Sequence, residues 1–230
     1  MIQTVGLYLR GLEVGSCPIG NPFERLQFIS WSAILLYLLI GPAFRVSLLG
    51  FFTAGFAAVL GLASLCVPTW DLPYAIFYEG SGVWRETHAA TAVFSYGIFG
   101  ILALIALMYL IQNHGLRKRR TQGIFAVLPS IVQLDQMNAR LLLTGVTVLT
   151  SSMGVGALQW YDNWGQLQMA KLIATTMIWL AYCATLVLHR LNRLITRKFA
   201  WSCLALFALA ILSLWPLEAG RDQQTSRPVA

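Results

Sequence analysis

The sequence predicts an all-α membrane protein with six transmembrane helices and both termini outside. Three observations predict it. The chain of 230 residues is 57% hydrophobic and only 11% charged, with a mean hydropathy of +0.67, a balance that a water-soluble domain of this length does not carry. Six uncharged runs approach the roughly 20 residues that a bilayer core about 30 Å thick requires at 1.5 Å per residue. Finally, the basic residues crowd one side: Arg45, Arg117, Lys118, Arg119, Arg120, Arg140, Arg190, Arg193, Arg197 and Lys198 share the loops of one face. The positive-inside rule makes that face the inner one.

The runs are Leu26 to Phe44, Val46 to Val67, Ala89 to Ile111, Leu141 to Tyr161, Leu172 to Leu188 and Phe199 to Leu217. Each is expected to be helical, because lipid satisfies no backbone hydrogen bond, and no alternating β-barrel pattern is present. The whole chain, 1–230, reads as a single transmembrane domain without repeats. Residues 1–24 form an outer segment that lacks the basic start and long apolar stretch of a signal peptide and that suits the tail of a helix. The outer loop from Pro68 to Arg85 is rich in aromatic residues, a composition for the membrane interface and for a lid. On the inner side, Ile131, Leu134 and Met137 recur behind Pro129, so Leu128 to Arg140 is expected to be a short amphipathic helix on the surface ahead of the fourth span. The polar tail, 218–230, is expected to be a disordered outer segment.

The net charge of +7 is not laid out as a basic stripe with interleaved aromatics, so no nucleic-acid partner is implied. Membrane lipid is the partner that composition does imply. The four cysteines, Cys17, Cys66, Cys183 and Cys203, form neither CxxC nor CxxCH, which excludes a redox dithiol motif and covalent haem attachment of the c type in this chain. Cys17 and Cys66 fall toward the same outer face, where a pairing is open. No Walker loop, hydrolase triad or zinc motif is present.

Ionisable residues at a membrane threshold are costly and therefore site candidates. His88 has Trp84 one helical turn before it and Arg85 and Glu86 beside it. A neutral imidazole there can ligate a transition metal, haem iron included, and Arg85 can meet a propionate; a histidine capping a span is the plainer alternative. His189, at the inner end of the fifth span, is a second candidate ligand or a juxtamembrane residue. His114 before Gly115 matches a helix C-terminus, where a cation complements the dipole. Trp160, Asp162 and Trp164, in the outer loop after the fourth span, suit either a stacking shelf for a flat macrocycle or an aromatic belt. Thr150, Ser151 and Ser152, with Gly154 and Gly156, are expected to allow close helix packing.

Read together, these stretches resemble the cytochrome c assembly protein family. Residues 18–31, PIGNPFERLQFISW, are similar to a family motif at Pro18, Asn21, Glu24, Leu26, Phe28, Ser30 and Trp31. Residues 84–96, WRETHAATAVFSY, resemble a second motif in register, and Leu128, Pro129, Ser130, Leu134, Asp135, Arg140 and Gly145 resemble a third. WLAYCATLVLHR, ending at Arg190, resembles a fourth. The resemblance implies haem b as a transient cofactor, His88 as an outward-facing haem ligand and His189 as an inner one. It also implies an apocytochrome c as recipient, a partner membrane subunit, and the bacterial inner membrane or its organellar equivalent.

The tryptophan-rich haem motif is degraded, with only Trp164, Gly165 and Lys171 in order, and no histidine follows the sixth span. The expected function is therefore haem handling in cytochrome c biogenesis, either as the membrane subunit of a haem lyase or as a HemX-like regulatory or scaffold protein without firm haem binding.

Overall fold

A computed structural model describes residues 1–44, 47–71, 83–119, 125, 128–162, 169–194 and 196–214. They form seven α-helices, here α1 (Ile2–Val14), α2 (Pro22–Phe44), α3 (Ser47–Cys66), α4 (Val83–Arg117), α5 (Ile131–Asp162), α6 (Met169–Arg190) and α7 (Thr196–Ser213), with a 3-10 turn at Pro68–Asp71. Six of them, α2 to α7, are long and apolar enough to cross a membrane.

Local chemistry sets the helix ends. Asn21 caps α2 by accepting from the Glu24 amide at 2.8 Å, and Pro22 takes the first helical position, where no amide hydrogen is missed. The Ser130 side chain accepts from the Gln133 amide at 3.3 Å at the start of α5. Gly15 closes α1 in a left-handed conformation at φ 70°. Asn192, at φ 54°, does the same after α6, where the amides of Arg193 and Leu194 fold back onto the Leu188 carbonyl.

The long helix α4 is the axis of the bundle. Ile98, Phe99, Ile101, Leu102, Ile105, Ala106 and Met108 are buried along it, and α2, α5 and α7 pack round it. Packing is closest where glycine faces a neighbour. A Cβ on Gly97 would lie 3.1 Å from the Ala33 amide nitrogen and against the Ser32 side chain, so α2 approaches α4 to nearly backbone contact. At mid-depth the Phe99 and Tyr182 rings stack at 3.8 Å and 7°, and Phe99 also sits on Gly145 of α5. One aromatic pair thus joins α4, α5 and α6.

Three readings of the sequence change here. The amphipathic segment and the fourth span are one unbroken helix of 32 residues, because Pro129 precedes its first turn and nothing inside interrupts the hydrogen-bond ladder. Helix α4 extends to 35 residues, beyond the uncharged run of Ala89 to Ile111, since charged residues at its two ends are helix formers in water as well. Within residues 1–24, α1 runs antiparallel to α2: Arg10 meets Glu24, Gln3 meets Gln27 and Thr4 meets Trp31. Its Ile2, Val5, Leu9 and Leu12 point away from the bundle. The four cysteines are free thiols, so Cys17 and Cys66 are not joined. The tail 218–230 and most of the outer loop lie outside the described residues.

Candidate haem-ligand site at the start of helix α4

Arg10 braces the His88 end of the bundle. Arg10 donates to Glu24 at 2.9 Å, to Asp71 at 2.8 Å and to Glu13 at 3.1 Å, tying α1, α2 and the 3-10 turn together. Glu24 is only 1% exposed and accepts a further bond from the Gly20 amide. A buried carboxylate is tolerable when charge and hydrogen bonds meet it in this way. Cys17 stands close by, where burial and then the carboxylates of Glu86 and Glu24 push its thiol up from the usual range.

His88 lies in the second turn of α4, and its ring turns toward α5 rather than toward lipid. Nδ1 is 2.6 Å from the Ser152 carbonyl oxygen. The Ser152 hydroxyl donates to the His88 carbonyl at 2.8 Å, and the Thr91 hydroxyl reaches the same carbonyl at 3.0 Å. The ring rests on Gly156, one turn beyond Ser152. His88 is half-buried, so one part of it still meets the surroundings of the bundle. Trp84, one turn earlier, is exposed and Arg85 is half-buried.

Trp160 and Asp162 belong to the last turn of α5, and Trp164 is outside the described residues.

His189 belongs to the other end. It sits in the last turn of α6, stacked on Phe199 of α7 at 3.9 Å and 16°, within electrostatic range of Asp135 on α5. Its Nδ1, Asp135 Oδ1 and Asn138 Oδ1 are buried without hydrogen-bond partners. The structure therefore separates the two expected ligands, giving each a different set of neighbours. His114 is exposed in the last turn of α4.

Sequence reasoning placed His88 but missed its seat on Ser152 and Gly156, and it missed Arg10. The small-residue cluster was the available signal for the first. For the second it was the acid in the resembling motif, Glu24, which needed a cation.

The profile of the family described as cytochrome c assembly protein matches residues 19–216. The chain belongs to the cytochrome c assembly protein family. Among relatives in the family, Protein HemX of Brevibacillus brevis is 29% identical over 170 residues, covering 74% of this chain and 60% of that protein. Protein HemX of Bacillus subtilis is 25% identical over 206 residues, covering 84% of this chain and 71% of that protein. Cytochrome c biogenesis protein CcsA of Synechococcus sp. is 25% identical over 215 residues, covering 81% of this chain and 69% of that protein. The chain thus spans less than two thirds of the Brevibacillus protein's length. No solved structure matches it. Membership in this family, with six membrane-length apolar helices, makes the chain an integral membrane protein with a role in cytochrome c biogenesis.

Proposed function

We propose that this membrane protein handles haem during cytochrome c biogenesis, holding it at the His88 end of the bundle for an apocytochrome c. The observation that carries the reading is the 2.6 Å contact between His88 Nδ1 and the Ser152 carbonyl. A carbonyl oxygen only accepts, so this contact favours the proton on Nδ1 and makes Nε2 the candidate iron ligand, as in ligating histidines that give their other N–H to a carbonyl.

Among the described residues no three His, Cys, Asp or Glu side chains group to hold a bare metal ion. A single oriented imidazole would suit an iron that arrives with its own ring of donors, as haem iron does. The exposed indole of Trp84 offers apolar surface to a flat ring, and the guanidinium of Arg85 offers charge to a carboxylate. On this reading Trp160, Asp162 and Trp164 are further candidate contacts for the ring. When bound, haem supplies the iron and the vinyl groups that an apocytochrome's cysteines capture.

On the same reading His88 faces the compartment of the apocytochrome, both termini lie on that side, and the membrane is the bacterial inner membrane or its organellar equivalent. His189 serves as an inner-side ligand, and a partner membrane subunit completes the ligand set at the outer end.

A second reading, a HemX-like scaffold without firm haem binding, draws support from the opposite end. There Arg117, Lys118, Arg119, Arg190, Arg193, Arg197 and Lys198 are all exposed, a surface suited to an acidic soluble partner. The test is the Soret band of the detergent-purified protein with and without His88→Ala. Copurifying haem that the substitution removes supports haem handling at this site. Absence of colour in both forms, or a band indifferent to the substitution, overturns it, and the former result favours the scaffold.

A further inference from the structure

We infer that Ser152 and Gly156 of α5 are positioning residues for His88, fixing which ring nitrogen a ligand meets and in which direction it lies. Three contacts converge on one residue. The Ser152 carbonyl accepts a hydrogen bond from Nδ1–H at 2.6 Å, the Ser152 hydroxyl donates to the His88 backbone carbonyl at 2.8 Å, and the same hydroxyl oxygen lies 3.2 Å from Nδ1. Ring and main chain are thus both tied to the same turn of α5, and Ser152 is itself buried. A lone pair on Nδ1 would face the lone pairs of the carbonyl, and the Ser152 hydroxyl, whose hydrogen goes to the His88 carbonyl, would add another, so the opposite tautomer is disfavoured.

Gly156 makes this approach possible. A Cβ at that position would lie 2.7 Å from both Cε1 and Nδ1 of His88, closer than real side chains approach, and the ring would have to swing off the carbonyl. Gly154, two residues earlier, has nothing within 4 Å of its own Cβ position, so crowding at Gly156 is specific to the face that carries the ring. A histidine that merely capped a span would need neither contact. The seat gives the small residues of SSMGVG a purpose beyond helix packing. Loss of such an outer contact typically weakens a histidine's metal affinity about 10- to 100-fold.

The inference rests on the haem reading only for what the seat is used for. The experiment uses the full-length, haem-free protein in detergent, with histidine labelled by 15N in the ring; the chain has three histidines, and His88→Gln assigns the signal. The expected wild-type result is a protonated Nδ1 on His88, converted by Gly156→Ala to the tautomer mixture of a free imidazole and unchanged by Gly154→Ala. Titration with haemin should then show His88-dependent binding weakened about tenfold or more by Gly156→Ala.

An unprotonated Nδ1 in the wild type, or ring signals that ignore Gly156→Ala, overturns the proposal. Haemin binding that ignores Gly156→Ala while depending on His88 also overturns it. If haemin binding ignores His88 altogether but the ring signals switch, the haem reading fails and the seat stands.

Discussion

Replacing Arg10 with Met tests how the His88 end is held together. The side chain makes three ion pairs of unequal worth. Those to Asp71 and Glu13 are exposed, with side-chain accessibilities of 46% and 69%, and each contributes under about 1 kcal/mol. The pair with Glu24 differs because Glu24 is buried, and removing one partner of a buried pair costs about 3–5 kcal/mol. Arg10 is itself a quarter exposed, and the Gly20 amide still donates to Glu24 after the substitution, so the expected loss is smaller, about 2–3 kcal/mol. For a chain of this size that corresponds to a melting temperature lower by roughly 5–10 °C.

The assay is thermal unfolding in detergent, followed by thiol labelling of the buried cysteine, Cys203. Pairing the change with Glu24→Gln removes the buried charge while keeping an acceptor for Gly20. The double variant should recover at least half of the loss. A single variant as stable as the parent, or a double variant no better than the single, would refute the reasoning that a buried carboxylate deprived of the Arg10 charge sets the cost.

Other expectations follow from packing and from thiol chemistry. Tyr182→Phe should be neutral or stabilising by up to about 1 kcal/mol in the same melt, because the ring remains stacked on Phe99 while a fully buried hydroxyl without a partner is removed. Gly97→Ala should lower stability by about 1–3 kcal/mol, since the added methyl would press on the Ala33 backbone of α2, and a second-site change of Ser32 to Gly should relieve part of it. With iodoacetamide at pH 7.5, exposed Cys66 should be labelled at least about tenfold faster than Cys17, whose raised thiol pKa leaves little thiolate at that pH. Peptide mass spectrometry reads the order, and raising the pH should narrow the gap.

The spans were legible in the sequence because lipid imposes one rule on every residue within it, and an uncharged run of the right length records that rule. Helix ends were less legible. Nothing in composition distinguishes a helix that continues into water, as α4 and α5 do, from one that stops at the boundary. Helix α1 was hidden because half of its pattern is inverted: Gln3, Leu7 and Arg10 face the bundle, whereas Ile2, Val5 and Leu9 face away from it.

His88 was visible as a titratable residue at a threshold, but its neighbours Ser152 and Gly156 are 64 and 68 positions further along the chain. Their approach depends on the register of two helices, which local spacing does not encode. Resemblance to the family supplied the expectation of a ligand, while the contact that orients it came only from the folded chain.

The stacked pair of Phe99 and Tyr182, seated on Gly145, has a consequence for traffic between the two ends. Together with Ile98, Ile101, Leu102 and Ile105 it fills the centre of the helical cluster with side chains that have almost no accessible surface. A rigid, plate-shaped cargo passing from the neighbourhood of His189 to that of His88 would have to prise apart three helices if it went through the middle. A route along the outer flank, between protein and acyl chains, would avoid that cost. Such a path would make delivery sensitive to bilayer composition and to whatever other protein covers that flank.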